Sequence, residues 1–138
     1  MHEDFVSFEL AKKLREKGFQ ERSIAYYDNF GVFRFNECTC MSDDCIIDIA
    51  GLMWCHNNKT GSTYIDAPTI AQVLKWFREK KGILIAIDVF KDYTSELVGW
   101  GYNIVLIDKY EVCHHCCNFD NYEQSAVDGI EYVIDELI

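Results

Sequence analysis

Two apolar runs, Ile83–Phe90 and Tyr102–Ile107, are separated by a short stretch that contains Gly99 and Gly101. This spacing constrains the fold more than any other feature of the chain. Two parallel strands need a crossover of about a dozen residues or more, usually a helix, and this stretch is too short and too glycine-rich to supply one. The two runs are therefore expected to pair antiparallel, with Gly99-Trp100-Gly101 as the turn. Ile83–Phe90 is strongly apolar, which is the pattern of a central strand.

Helices are marked by their ends. Pro68 disfavours helix at Ala67, and Thr69 with Gln72 has the spacing of a capping box. Ile70, Val73, Leu74 and Phe77 then recur at helical spacing up to Gly82. An earlier helix is expected over Phe8–Lys17, capped by Ser7 and stopped by Gly18, with Phe19 folding back onto Leu14. A third is expected over Tyr122–Leu137, capped by Asn121 or Asp120, with Ala126, Ile130, Val133, Ile134 and Leu137 as its buried stripe. Gly129 beside that stripe would let the helix approach its neighbour closely.

Ile24–Tyr27 and Val32–Phe35 read as a first hairpin turning at Asp28-Asn29-Phe30-Gly31. The segment 36–66 is less regular and is read as an insert holding a second hairpin, Gly51–Cys55 with Thr63–Asp66. The expected architecture is an α+β fold in a single domain spanning 1–138. An antiparallel sheet built from hairpins carries three helices, in the order helix, hairpin, insert, helix, hairpin, helix. The segments Lys13–Phe19 and Trp76–Ile83 echo each other, each before a hairpin, but amphipathic helices that end at glycine resemble one another without duplication.

Several of these residues carry a resemblance. Val6-Ser7-Phe8-Glu9-Leu10-Ala11, Lys17-Gly18-Phe19, Tyr26-Tyr27, Ala67-Pro68-Thr69, Lys75-Trp76-Phe77-Arg78-Glu79 and Tyr122-Glu123 follow in that order along most of the chain. The pattern resembles a family of small uncharacterised proteins of gut Bacteroides-type bacteria, their phages and mobile elements. Its most specific part is the Ala-Pro-Thr helix start with Lys-Trp-Phe-Arg-Glu. The resemblance implies a mobile-element context and brings no catalytic residue and no cofactor with it.

Charge narrows the range of partners. Thirteen basic against 23 acidic residues give a net charge of -10. Phosphate backbones and anionic membrane surfaces are bound through lysine and arginine, so direct nucleic-acid or membrane binding is not expected. No apolar run approaches the roughly 20 residues that span a bilayer, and Met1-His2-Glu3-Asp4 lacks the basic start of a signal peptide. The expected location is the cytoplasm.

Seven cysteines in a reducing compartment point to thiols or metal rather than to a disulfide framework. Cys38, Cys40 and Cys45 form one group, and Cys113-His114-His115-Cys116-Cys117 forms another. Zinc takes four thiolate or imidazole ligands, usually from two short knuckles, and Cys113 with Cys116 has knuckle spacing. The first group lacks the two-residue gap, and cysteine also serves as a small buried hydrophobe. Free or buried thiols, with no stoichiometric zinc and no structural disulfide, are therefore expected. A cysteine hydrolase would need Cys113 or Cys116 beside a histidine such as His56, and no nucleophile-elbow pattern accompanies them.

No phosphate-binding glycine loop is present, and Asp43, Asp44, Asp48, Asp88 and Asp108 form no fixed acid pair. Tyr26, Tyr27, Phe30, Phe33, Phe35, Trp54, Trp76 and Trp100 build a core or, where exposed, a binding surface. The leading expectation is a non-enzymatic protein-interaction or accessory protein of a phage or mobile element, with no catalytic residue and an unidentified protein partner. The alternatives are a zinc-containing binding module, an acidic mimic of nucleic acid built on Glu123, Asp128, Glu131, Asp135 and Glu136, and a small cysteine hydrolase.

Overall fold

The computed structural model describes residues 4–35, 64–91 and 97–138, and the strands Cys45–Ile47 and Met53–Cys55; these two strands and residues 97–98 are described through their backbone alone. The fold is α+β, and every strand pair among the described residues is antiparallel. Packing divides the chain into two compact units, Met1–Thr69 and Ile70–Ile138.

In the first unit, helix α1 covers Phe8–Glu16. Ser7 Oγ accepts from the Leu10 amide at 3.3 Å, which satisfies one of the otherwise orphaned N–H groups of the first turn. Gly18 stops the helix at φ 93°, and the Phe19 amide returns to the Leu14 carbonyl at 3.0 Å. Phe19 and Leu14 are both fully buried, so the fold-back expected from the sequence forms. Strands β1 (Ala25–Tyr27), β2 (Phe33–Phe35) and β5 (Ile65–Asp66) make a small sheet in the order β2-β1-β5. Among the described residues, strands β3 (Cys45–Ile47) and β4 (Met53–Cys55) pair with each other and with no other strand.

This topology corrects the expected second hairpin. Met53–Cys55 pairs with Cys45–Ile47, and Ile65–Asp66 returns to β1 instead. One of these pairings is local and the other is not. The apolar pair Ile46-Ile47 supplies a nearer partner for Met53-Trp54, and β1 offers Ile65 a second free edge beside the helix-covered core.

The second unit is a meander of three longer strands, β6 (Ile83–Lys91), β7 (Leu97–Leu106) and β8 (Glu111–Phe119), in that order. Helix α2 (Ile70–Trp76) starts directly after Thr69 and runs into a π-helical turn over Phe77–Lys81. Gly82 closes it at φ 65°, as its place at the helix end requires. Helix α3 (Tyr122–Tyr132) is capped by Asn121, whose Oδ1 accepts from the Gln124 amide at 2.8 Å, and ends in a second π-helical turn over Val133–Leu137.

Alternation along the strands sets the faces. Ile83 and Ile85 of β6 and Tyr102 and Ile104 of β7 share the face covered by α3, where Ala126, Ile130, Val133 and Ile134 are buried. Gly129 is what brings α3 down: a Cβ there would lie 3.0 Å from Ile85 Cγ2 and 3.4 Å from Tyr102 Cδ2. Two expectations need correction. Gly99 and Gly101 lie inside β7, not in a turn; a Cβ on Gly101 would meet the Cys116 carbonyl at 2.7 Å and Phe90 Cδ2 at 2.8 Å. The Cys113–Cys117 segment is a strand, so the hairpin of β6 and β7 gains a third member.

Candidate interaction site

Strand geometry decides what the cysteine-histidine cluster can do. Consecutive side chains on β8 alternate between faces. His114 lies on the side of α3, its ring stacked on Tyr132 at 3.7 Å between centroids and 5.9 Å from Tyr102. His115 lies on the other side, with Nδ1 2.7 Å from Asn103 Oδ1 and its ring 5.0 Å from Phe90. Cys116 is the register partner of Tyr102, on the His114 side, and Cys117 that of Gly101. Cys113 is exposed at an irregularity of the ladder. The cluster is thereby split, and among the described residues no three His, Cys, Asp or Glu side chains gather in a metal-holding group. Cys38, Cys40 and His56 lie outside the described residues, and Cys45 is described through its backbone alone.

Beside His114, the Tyr102 hydroxyl donates to Asp128 Oδ2 at 2.6 Å. Burial, followed by the Asp128 carboxylate, pushes the Tyr102 phenol far above its ordinary range. A phenol held protonated there is a hydrogen-bond donor that ties β7 to α3, not a base.

The surface offers a more developed arrangement at the β1–β2 hairpin. Asp28 follows β1 and directs the whole turn. Its Oδ1 accepts from the amides of Phe30 at 2.9 Å and Val32 at 3.0 Å, and its Oδ2 accepts from Arg34 Nε at 2.8 Å. Two backbone bonds close the same loop, Asp28 N to the Val32 carbonyl at 3.0 Å and Gly31 N to the Asp28 carbonyl at 2.9 Å. Gly31 supplies the left-handed step at φ 77°. The Arg34 guanidinium, followed by the Val32 amide, holds the Asp28 carboxyl below the usual carboxylate range, against an opposing push from burial.

This turn presents Phe30, which is 84% exposed, next to Val32 at 48%. Behind the tip, Phe33 packs edge-on against Tyr27 at 5.7 Å and against Phe5 at 5.1 Å, so the hairpin stands on a fixed aromatic base. Phe35 continues the apolar strip toward solvent at 42% exposure. Water gains nothing from an exposed phenylalanine, and turns ordinarily carry small or polar residues.

The sequence names Phe30 and the Asp28–Gly31 turn, but it does not disclose the Asp28–Arg34 pair or the exposure of Phe30. The available signal is a large apolar residue inside Asp-Asn-Phe-Gly, at a position where turn chemistry never asks for one. Among the described residues no helix is long and apolar enough to cross a membrane. No family model, curated protein or solved structure matches the chain.

Proposed function

We propose that this chain is a non-enzymatic protein-interaction module, an accessory protein of a phage or mobile element, that uses the β1–β2 hairpin as its anchor. The observation that carries this reading is the exposure of Phe30 on a turn that Asp28 holds through the Phe30 and Val32 amides and the Arg34 side chain. Binding costs conformational entropy, and an anchor already held in one geometry loses less of it. Interface energy concentrates in a few large side chains that enter pockets on the partner, which is the role assigned to Phe30. The mobile-element context rests on the resemblance of the helix-start and Lys-Trp-Phe-Arg-Glu motifs.

The partner expected is a protein with an apolar pocket in a basic surround, because the chain carries a net charge of -10. The setting proposed is cytoplasmic. An acidic mimic of nucleic acid is a weaker reading. Residues 120–138 hold six acidic and no basic side chains, but Lys12, Lys13, Arg15 and Lys17 on and after α1, and Arg78, Lys80 and Lys81 after α2, give the other two helices a basic character that a nucleic-acid mimic does not want.

A photo-crosslinking residue at position 30 should capture one partner in a defined ratio from the native host. Phe30→Ala should then weaken the purified pair at least about tenfold, the scale of a hot-spot residue. Lys13→Ala should leave it unchanged, and added salt should weaken it. Equal affinity of wild type and Phe30→Ala for that partner would refute the anchor.

A further inference from the structure

The register of the β3–β4 pair sets Cys45 directly opposite Cys55, followed by Ile46 opposite Trp54 and Ile47 opposite Met53. The cysteine pair thus stands at the open end of the ladder, away from the connection 48–52. Along the sequence Cys45 falls with Cys38 and Cys40, and Cys55 stands apart from both cysteine groups. The fold gives Cys45 a different partner.

We infer that Cys45 and Cys55 form a reversible cross-strand disulfide, a redox modification site that staples β3 to β4. Directly opposed residues of an antiparallel pair have Cα atoms about 4.5 or 5.5 Å apart, and both spacings fall within the roughly 4.4–6.8 Å that a disulfide spans. Opposed residues also share a face of the ladder, so the pair needs no strand to rotate or slip. Finally, β3 and β4 are three residues each and, among the described residues, pair with no third strand; a two-stranded ladder of that length is marginal in water and frays first at its open end. A covalent bond at that end constrains the ladder where it is weakest.

The oxidant is a small-molecule disulfide such as glutathione disulfide. One cysteine thiolate attacks a sulfur of the oxidant, forming a mixed disulfide and expelling one glutathione thiolate. The second cysteine thiolate attacks the protein-bound sulfur, closing Cys45–Cys55 and expelling the second glutathione thiolate. Two protein thiols are oxidised and one glutathione disulfide is reduced to two glutathiones, which take up the two protons. In a reducing compartment the thiol form dominates, so the pair reports oxidising conditions rather than stapling the chain permanently.

The sequence provides a clean assay. Cyanogen bromide cuts after Met41 and Met53, and the fragment 42–53 then contains Cys45 as its single cysteine, while 54–138 contains Cys55, Cys113, Cys116 and Cys117. The full chain is equilibrated with glutathione disulfide, blocked with N-ethylmaleimide under denaturing conditions and cleaved. The expected result is a fragment 42–53 that stays tethered to 54–138, with Cys113, Cys116 and Cys117 blocked and Cys55 unblocked. Dithiothreitol should release it, and reduced glutathione should return the intact protein to its starting mass. In Cys55→Ser the fragment should be free from the outset. A tether that survives in Cys55→Ser, or one that blocks fewer than those three cysteines in the wild type, would overturn the pairing. So would full blocking of both Cys45 and Cys55 after oxidation, or one zinc per chain that protects both thiols from the reagent.

Discussion

The two units reach order by different means. In the second, strands of nine and ten residues supply long ladders, and one face of the sheet is sealed by α3 over Tyr102 and Ile104, both completely buried. In the first, the strands around β1 are two or three residues long, and polar side chains take over what ladders cannot do. Ser23 Oγ lies 3.0 Å from the Ala67 carbonyl, the Tyr27 hydroxyl donates to the Val6 carbonyl at 2.5 Å, and Asp28 ties the turn. Short strands leave many backbone groups to satisfy, and every buried one that stays unpaired costs about 1–3 kcal/mol. The lesson is functional as well. A unit held by polar clamps has apolar side chains to spare, and it sets Phe30 outside.

The largest effect should come from the sealed layer. Ile104→Ala removes a fully buried side chain beneath α3 and should destabilise the protein by about 2–5 kcal/mol, read from urea midpoints. A cost below about 1 kcal/mol would mean that the layer is loosely packed and the contrast is false. In the first unit, Tyr27→Phe keeps the ring among Phe8 and Phe33 but strands the Val6 carbonyl. The expected loss is about 1–2 kcal/mol with the aromatic packing intact. An unchanged midpoint would show that this unit, too, stands on apolar contacts alone.

Where the sequence was readable, the information was local. Ser7, Gly18, Phe19, Gly82 and Asn121 mark helix ends through bonds to residues within a turn, and each acts as its neighbours require. The antiparallel pairing of β6 with β7 followed from the shortness of the connection between them. Strand partners were less readable. Nothing near Ile65 announces that it pairs with Tyr27. Gly101 looks like a turn residue because the contact that excludes a side chain, the Cys116 carbonyl, comes from β8. Cys113–Cys117 lacks the aliphatic alternation that marks a strand, so its spacing reads as a metal knuckle until β7 is laid beside it. The candidate site follows the same rule: the Asp28–Gly31 turn is local and legible, and the Arg34 partner and the exposed ring are not.

Thr69→Ala tests a local signal directly. Helix α2 begins at Ile70, which places Thr69 at the cap position of the box with Gln72. The expected loss is about 1 kcal/mol, again from denaturant midpoints. No loss would mean that the helix start depends on packing and not on the cap.

The smallest effect, and the one with a pH signature, belongs to Asp28. Its carboxylate is only 9% exposed, but the Arg34 side chain is 56% exposed, so solvent screens the pair and limits what it contributes. The sign follows from the direction of the shift. The Arg34 bond and the Val32 amide lower the folded-state pKa of Asp28, so the unfolded chain takes up the proton first as pH falls. The stabilisation is therefore complete above the ordinary aspartate value of about 3.9 and is lost as pH drops from there through the lower folded-state value. Asp28→Asn keeps an oxygen for the Phe30 and Val32 amides but removes the charge facing Arg34. Its urea midpoint should lie slightly below that of the wild type at neutral pH, and the two should converge in acid. A gap that stays constant down to acid pH would assign the turn to its neutral hydrogen bonds, and the preorganisation of Phe30 would then not depend on the ion pair at all.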